Sequence, residues 1–249
     1  MRVAAVVVSH GNARELERLL PALTPQVDEL VVVANVAGSV GGLTAPARLI
    51  ENPRPLGFAA NVNLGIRETD AELVCAVNPD TVPRPDAVAV LREFVERTPR
   101  CGIAGPQLVY PDGSWQPSRR RFPTVGGTLV RRTPIRRVVE PSPSHYLLDE
   151  RSAEPVEADW MLGAFLVLRR SMLDELSGFD EGFRLYGEDI DLQYRAMRAG
   201  WDRWYVPAAV VRHAHQAVTD RSWLNRRTLW HWAGVLRFVR KHPERLRAL

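Results

Sequence analysis

Residues 72–81, ELVCAVNPDT, join a short apolar run to a turn that contains an aspartate. The run is continuously apolar after its first residue, which is typical of a strand buried on both faces of a parallel sheet. Open sheets of this type bind their ligands beyond the carboxyl ends of the strands. We therefore expect Asn78 and Asp80 at a ligand-facing edge, although Asn-Pro-Asp is also an ordinary turn sequence.

Short runs of the same character recur on both sides of this segment. They span residues 3–8, 29–34, 48–51 and 102–109. Apolar residues at helical spacing fill the intervals: Leu16, Leu19, Leu20 and Leu23; Val62 and Ile66; Val88, Leu91 and Val95. This alternation predicts an α/β fold with a mostly parallel central sheet flanked by helices.

The pattern changes after residue 109. Residues 110–155 carry many prolines and a cluster of arginines with little periodicity, which predicts a long flexible loop. Beyond them we expect a strand and a short helix within 156–173, a helix near residue 188, a strand near Trp204–Val206, and a further strand ending at VVRHAH, residues 210–215.

Composition narrows the class of protein. Hydrophobic residues make up 45% of the 249-residue chain, which is enough for a packed core. The two cysteines favour a reducing compartment over a disulfide framework. The apolar run at residues 3–8 is too short for a secretory signal or a membrane span, so we expect a cytoplasmic protein.

The charge is unevenly distributed behind a net value of +4. Residues 118–137 hold seven arginines and no acid, and residues 221–249 hold eight basic residues against Glu244 alone. Such segments suit an anionic partner, namely a lipid headgroup, a diphosphate or a nucleic acid, although a solvated arginine-rich surface has the same composition. Neither segment contains a nucleic-acid-binding motif, so no nucleic acid partner is expected. Nothing in the sequence specifies an oligomeric state.

The segment LYGEDIDLQYRAMRAG, residues 185–200, gathers three carboxylates at the start of a predicted helix, on Glu188, Asp189 and Asp191. Acidic residues stabilise a helix N-terminus, and Asp191 can pair with Arg195 one turn later, so a structural explanation is available. A catalytic explanation requires the carboxylates to meet other reactive groups in the fold.

Two other motifs contain residues that could bind a metal ion or a phosphate. His213 and His215 lie two residues apart in an extended segment and project to the same side, but the other ligands of a zinc motif are missing. Gly57 precedes a predicted helix, where a glycine lets the backbone approach a phosphate. Each histidine and the glycine also have ordinary structural explanations.

Six motifs in order resemble the family 2 glycosyltransferases, particularly the bacterial rhamnosyltransferase-like branch. They are VVVSHGN (6–12), NPRPLGFAANVNLGI (52–66), AVNPDT (76–81), DWMLGAFLVLRR (159–170), GFDEGFRLYGEDIDLQYRAMRAGW (178–201) and VVRHAH (210–215). The resemblance implies a GT-A fold and inverting transfer of a sugar from a nucleotide-diphosphate donor. It further implies a GT-A catalytic domain over 1–216, with a nucleotide-binding half (1–109), a flexible basic loop (110–155) and an acceptor half that carries the base (156–216).

The resemblance also implies roles for individual residues. Asp189 corresponds to the catalytic base, and Glu188 either raises its proton affinity or binds acceptor hydroxyls. Asp80 would hold Mg²⁺ or Mn²⁺ against the diphosphate, with His213 as a further ligand; His215 is the alternative. The remaining predicted contacts fall into two sets. Nucleotide-sugar binding is expected from Ser9, His10, Asn35, Gly57, Asn63, Asn78 and Asp80, and the acceptor pocket is expected beside Trp160, Gly163 and Ala164.

Two departures from the family pattern generate a second hypothesis. The family usually places a nucleotide-contacting aspartate after the second strand, where this chain has Ala34 and Asn35. The usual aromatic-asparagine pair after the first strand is His10-Gly11 here. The first hypothesis is an active transferase acting on a cell-envelope glycan or a lipid-linked acceptor; the second is a catalytically impaired homologue that serves as a binding or scaffolding subunit.

The C-terminal segment, residues 217–249, is predicted to be a basic, aromatic helix. Its tryptophans and leucines are interspersed with basic residues, which suits a helix on a membrane surface. The apolar residues spread over more than one face, so packing on the rest of the protein is the alternative. With the first explanation, the protein would be peripheral on the inner face of the cytoplasmic membrane.

Overall fold

The computed structural model describes residues 1–41, 45–122, 151–214 and 226–246. The strands are β1 (Val3–Ser9), β2 (Glu29–Ala34), β3 (Arg48–Glu51), β4 (Leu73–Val77), β5 (Thr81–Pro83), β6 (Cys101–Val109), β7 (Trp115–Gln116), β8 (Arg119–Arg120), β9 (Val156–Glu157), β10 (Trp160–Met161), β11 (Phe165–Arg169) and β12 (Asp202–His213). The helices are α1 (Ala13–Leu23), α2 (Phe58–Arg67), α3 (Ala87–Arg97), α4 (Arg170–Leu176), α5 (Glu188–Arg198) and α6 (Arg226–Lys241), with short 3₁₀ turns at Thr24–Gln26 and Pro243–Leu246.

The central sheet has the strand order β3-β2-β1-β4-β11-β6-β12-β5. Strands β3, β2, β1 and β4 are mutually parallel, and β6 and β12 run in parallel with each other. Strand β11 is antiparallel to both β4 and β6, and β5 is antiparallel to β12. The prediction of a mostly parallel sheet flanked by helices is confirmed.

Apolar layers cover both faces of the sheet. In β1, Val3, Ala5 and Val7 pack with α1 and α3, whereas Val6 and Val8 pack with α2 and α5. The predicted helical stripes supply these contacts, since the leucines of α1 and the valines of α3 lie in one layer and the apolar side of α2 lies in the other. Burial on both faces explains why the strands are continuously apolar.

The pairing of β11 with β4 joins the two halves of the chain. In this antiparallel ladder Phe165 pairs with Val77, so β11 begins where β4 ends. The backbone N–H of Asn78 donates to the carbonyl of Ala164 at 2.8 Å. The turn before β11 therefore lies directly beside the turn that carries Asp80.

Strand β12 is one strand where the sequence analysis predicted two separate strands. It is one strand over Asp202–His213, with an irregularity in its pairing to β6 between Val206 and Val210. Pro207 lies in that interval and has no N–H for the ladder, which accounts for a bulge where the sequence suggested a break. Within the predicted flexible loop, residues 110–122 contain the short strands β7 and β8; residues 123–150 lie outside the described residues.

Helix α6 packs against the rest of the protein through one face. Phe238 is buried with its ring centroid 5.7 Å from that of Tyr194. Arg237 and Lys241 bind the carboxylate of Asp180 at 2.7 and 2.8 Å. The opposite face leaves Leu236 49% exposed. Across the ranges that the structure describes, no helix has both the length and the apolar character needed to cross a bilayer.

We predict that Gly65→Ala destabilises the protein, although alanine normally favours a helix by about 1 kcal/mol. A methyl group at this position of α2 would overlap Val6 Cγ1 in the strand beneath it. Overpacking of a stiff β-branched core typically costs roughly 1–3 kcal/mol, which exceeds the gain in helix propensity. Urea unfolding followed by circular dichroism measures the change.

Gly41→Ala is the control, because no described atom lies within 4 Å of the equivalent methyl position. Adding Val6→Ala to Gly65→Ala should restore part of the lost stability. Equal stability of Gly65→Ala and the parent protein would contradict the close packing of α2 on β1.

Candidate active site

Asp80 and His213 meet at the carboxyl edge of the sheet. Asp80 follows β4, and β12 ends at His213, whose Nε2 lies 3.5 Å from Asp80 Oδ2. A backbone hydrogen bond from Ala214 N–H to the carbonyl of Asp80 holds the two segments together at 2.9 Å. His215 lies outside the described residues, so its role as the alternative ligand stays a prediction.

The hydrogen bonds of His213 set its tautomer. Its Nδ1 lies 3.0 Å from Gln116 Oε1, and an amide oxygen can only accept, so Nδ1 carries the hydrogen. In the neutral ring, Nε2 therefore presents a lone pair toward the Asp80 carboxylate. Two electron-pair donors that face each other at this distance are stabilised by a cation between them.

The Asp80–His213 pair fits a divalent cation. Two ligands about 2.1 Å from one octahedral ion lie about 3 Å apart, close to the separation observed here. Across the described residues, no group of three or more acidic, histidine or cysteine side chains is arranged to hold a metal. A cation here would draw its remaining ligands from phosphate and water, as Mg²⁺ usually does in phosphate-binding sites.

Asp189 lies in the first turn of α5 and is held by backbone N–H groups. Gly163 N–H donates to Oδ2 at 3.1 Å, and Ile190 N–H donates to Oδ1 at 2.9 Å. A Cβ on Gly163 would stand 3.0 Å from the Cβ of Asp189 and 3.2 Å from Oδ2, so glycine is the residue that admits this contact. The carboxylate is therefore fixed between the helix and the turn before β11.

Glu188 is buried beside Asp189. Burial raises the pKa of both carboxyl groups, and the charge of Asp189 raises that of Glu188 further. Two N–H donors and the positive charge of Arg120 favour the ionised form of Asp189. Glu188 Oε2 accepts no hydrogen bond within the described part of the chain. The donors around Asp189 make it the carboxyl group of the pair that ionises first, and Glu188 the one that keeps its proton to higher pH.

One connected backbone path links the two acidic centres. Asp189 accepts from Gly163, and the next residue, Ala164, accepts from Asn78, two positions before Asp80. The predicted metal ligand and the predicted base thus lie on either side of the same turn. The sequence separates them by more than a hundred residues, and the β11–β4 pairing brings them together.

Two glutamines that the sequence analysis did not select support this arrangement. Gln193 binds both backbone groups of Met161 at 2.8 and 2.7 Å and the carbonyl of Asp189 at 3.1 Å, so it ties β10 to α5. Gln116 orients His213, as described above. The signal for Gln193 was its position one helical turn after Asp189; nothing local to Gln116 indicates its role.

Three of the other predicted nucleotide-sugar ligands, Ser9, His10 and Asn35, lie at the carboxyl ends of β1 and β2. Ser9 ends β1, and Asn35 follows β2 and lies 3.1 Å from the Nδ1 of His10. Gly57 faces the backbone of 183–184, whose atoms would lie 3.1–3.2 Å from an added Cβ. Contact within the protein therefore explains this glycine, and its approach to a phosphate stays a prediction.

The other predicted contacts have structural partners. Asn63 holds the turn that precedes α5, since it exchanges two hydrogen bonds with the backbone of Phe179 at 2.8 and 2.9 Å. Trp160 is buried and donates to the carbonyl of Arg121 at 2.8 Å. Ala164 is buried as well. Their roles in nucleotide or acceptor binding stay predictions.

Asp191 has the structural role that the sequence suggested. It is fully buried and binds Arg195 at 2.7 Å, and it also accepts from His242 and Lys241 of the C-terminal region at 2.9 and 3.0 Å. Burial alone would raise the pKa of Asp191, but these hydrogen bonds and charges bring it below the ordinary value. Asp191 therefore anchors the C-terminal helix to α5, two residues after Asp189.

Comparison with known proteins identifies the family of this chain. The profile of "Glycosyl transferase family group 2" matches residues 73–248. An N-acetylglucosaminyl-diphospho-decaprenol L-rhamnosyltransferase of Mycobacterium tuberculosis is 31% identical over 244 residues, covering 87% of this chain and 77% of the relative. Rhamnosyltransferase WbbL of Escherichia coli is 24% identical, covering 95% and 92%.

A solved structure shares the fold at low sequence identity. The crystal structure of GalNAc-T7 with UDP, GalNAc and Mn²⁺ superposes with a TM-score of 0.64 at 15% identity. The match covers 86% of this chain and 44% of that one, so this chain spans less than half of that protein. The predicted GT-A fold is confirmed. The chain therefore belongs to glycosyl transferase family group 2 and is a glycosyltransferase of the rhamnosyltransferase-like branch.

Proposed function

We propose that the protein is an inverting, metal-dependent transferase that moves rhamnose or another deoxyhexose from a nucleotide-diphosphate donor. The acceptor is a hydroxyl on a cell-envelope glycan or a lipid-linked sugar. The observation that carries the proposal is the turn 163–164, which binds the Asp189 carboxylate on one side and the Asp80 segment on the other. The names of the rhamnosyltransferase relatives support the sugar.

In this mechanism Asp189 takes the proton of the acceptor hydroxyl. The acceptor oxygen forms a bond to the anomeric carbon as the bond from that carbon to the diphosphate oxygen breaks, and the nucleoside diphosphate leaves with the bonding electrons. Attack opposite the leaving group inverts the anomeric configuration. Gly163 N–H holds the base in position, and Glu188 keeps its proton so that the charge stays on Asp189.

Asp80 and His213 would hold a divalent cation, Mg²⁺ or Mn²⁺. When bound, such an ion neutralises charge on the departing diphosphate. Gln116 accepts the Nδ1 hydrogen of His213, so Nε2 is the ring nitrogen that faces Asp80. The Mn²⁺ in the structure of GalNAc-T7 supports a cation in this fold without identifying it for this chain.

We assign the catalytic domain to residues 1–216 and the C-terminal segment to 217–249. A lipid-diphosphate acceptor would explain why two basic segments accompany an otherwise acidic chain. This acceptor would place the enzyme at the inner face of the cytoplasmic membrane. The same chemistry needs no nucleic acid.

The alternative is a catalytically impaired homologue that acts as a binding subunit, and it rests on the absence of an acid at Ala34 and Asn35. Calorimetry with a panel of nucleoside diphosphates in the presence of Mn²⁺ separates the two functions. The transferase binds at least one of them; the impaired homologue binds none.

We predict that Asp189→Asn lowers kcat by about 10²–10⁴-fold, the usual contribution of a positioned general base. The amide keeps the shape of the side chain, so nucleoside diphosphate binding should stay within about twofold of the parent. Product formation with a purified donor and acceptor measures kcat, and calorimetry measures binding.

Asp174→Asn is the matched control, because this aspartate is exposed on α4. Its kcat should equal that of the parent. Full transfer activity of Asp189→Asn would remove Asp189 from the mechanism.

We predict that Gln116→Leu raises the concentration of Mn²⁺ needed for half-maximal activity by about 10–100-fold, the usual effect of losing the partner of a metal-bound histidine. Leucine removes the acceptor that fixes the tautomer of His213. Activity at saturating Mn²⁺ should recover. Gln107→Leu, which removes another buried glutamine on β6, should leave the Mn²⁺ titration unchanged.

We predict a pH-dependent effect of Glu188→Gln on stability. The pKa of Glu188 is raised above its ordinary value of 4.5, so the folded protein keeps a proton that the unfolded chain has released. The free energy of unfolding therefore falls as the pH rises from 4.5 through the raised pKa. Glutamine stays neutral, so the Glu188→Gln variant should lack this part of the fall in the free energy of unfolding.

Thermal unfolding at a series of pH values between about 5 and about 9 measures the difference, since the other titrating groups are common to both proteins. Parallel curves for Glu188→Gln and the parent would show that Glu188 does not hold the proton. That result would leave the role of Asp189 to be tested by its own variant.

A further inference from the structure

Asn35, which follows β2, is saturated by contacts within the protein. Its Oδ1 accepts from Leu56 N–H at 2.7 Å and from Asn52 Nδ2 at 3.0 Å. Its Nδ2 donates to the carbonyl of Leu56 at 3.0 Å and contacts His10 Nδ1 at 3.1 Å. An amide has two donor hydrogens and two acceptor lone pairs, and all four are used here. Asn35 therefore has no capacity left to bind a ligand directly.

The backbone of Leu56 fixes which way the amide of Asn35 points. A backbone N–H can only donate and a carbonyl can only accept, so the oxygen and nitrogen of the amide cannot be exchanged. The second hydrogen on Nδ2 is directed at His10 Nδ1, which must then be an acceptor. The neutral ring of His10 consequently carries its hydrogen on Nε2.

The orientation of Asn35 is supported from α2. Asn52 donates to the side-chain oxygen of Asn61, and Asn61 donates in turn to the carbonyl of Gly57 at 2.8 Å. Asn52 and Asn61 are buried. A continuous chain of oriented amides thus runs from the first turn of α2 to the ring of His10.

The strand register puts His10 near the predicted diphosphate site. Ser9 pairs with Ala34, so His10 and Asn35 follow β1 and β2 at the same level. Val7 pairs with Val77, so the turn that carries Asp80 follows β4 at the same edge of the sheet. Neighbouring strands are about 4.8 Å apart. The strand order makes the gap between β1 and β4 a topological switch point, because α1 and α2 cover opposite faces of the sheet.

A nucleotide whose diphosphate lies at Asp80 can extend its base along this edge toward β1 and β2. His10 is exposed there, and Leu56 is 48% exposed, which supplies apolar surface beside the polar group. The edge presents a neutral N–H donor rather than the carboxylate acceptor that the family resemblance led us to expect.

We propose that His10 donates its Nε2 hydrogen to the exocyclic group at C4 of a pyrimidine or C6 of a purine base, and that Asn35 is the positioning residue that keeps His10 in this tautomer. The site then selects bases with an oxo group at C4 or C6, namely uracil, thymine or guanine. Cytosine and adenine carry an amino group at that position, and its hydrogens oppose the His10 donor. The inference rests on the proposed function, because it requires a nucleoside diphosphate at this edge.

Calorimetry in the presence of Mn²⁺ tests the selection with the pairs UDP and CDP, and GDP and ADP. In the better-binding pair, the parent should prefer the oxo base by about tenfold, the effect expected for one hydrogen bond made against one lost. His10→Phe keeps a planar ring without the donor. In this variant the ratio of the affinities for the oxo base and the amino base should fall to about one. Inorganic pyrophosphate with Mn²⁺ is the internal control and should bind both proteins equally.

Histidine ¹⁵N chemical shifts test the positioning role without any ligand. The His10 signals are assigned by their absence in His10→Phe. In the parent, Nδ1 should be unprotonated and Nε2 protonated. Asn35→Asp replaces the donor with an acceptor, so Nδ1 of His10 should become protonated, a change that general loosening of the loop would not produce.

The outcomes separate this inference from the proposed function. Nucleoside diphosphate binding without an oxo preference, or a preference that survives His10→Phe, overturns the inference and leaves the transferase function standing. Binding of pyrophosphate alone overturns both. A protonated Nδ1 on His10 in the parent overturns the role of Asn35.

Discussion

Strand β11 runs antiparallel between β4 and β6, and the geometry of the site depends on this pairing. An antiparallel partner starts at the end where β4 finishes, so the turn before β11 must lie beside the turn after β4. A parallel strand in the same place would begin at the opposite edge of the sheet. Gly163 and Ala164 consequently contact Asp189 on one side and the Asp80 segment on the other.

Burial and hydrogen bonding then give two neighbouring carboxyl groups different proton affinities. Glu188 and Asp189 are adjacent in α5, yet backbone donors reach Asp189, whereas Glu188 Oε2 accepts no hydrogen bond within the described residues. In a buried pair of this kind, the carboxyl group that accepts more hydrogen bonds ionises first. The same principle acts in Asp191, where buried charge is retained because three cationic or polar partners surround it.

Much of the fold was accessible from residue pattern because burial on both faces leaves a continuous apolar signature in each strand. Pro207 broke that signature in β12, where the structure has a bulge instead of an end. Among the proposed site residues, motif order pointed to Asp80, Asp189 and His213. It did not point to Gln193, whose only local signal is its position one helical turn after Asp189, or to Gln116, whose partner His213 is distant in the chain.

The sequence alone specified the types of the elements, the acids at their ends and membership of a glycosyltransferase family, because these follow from periodicity and from motifs a few residues long. The sequence alone did not specify which polar groups are protonated or which partners their side chains bind. The sequence suggested direct ligand contacts for Asn35 and Gly57. In the fold, the side-chain amide of Asn35 is hydrogen-bonded to Leu56 and contacts His10, whereas Gly57 faces the backbone of 183–184 and its approach to a phosphate stays a prediction. Hydrogen-bond capacity is finite, and only the folded chain shows where it has been used.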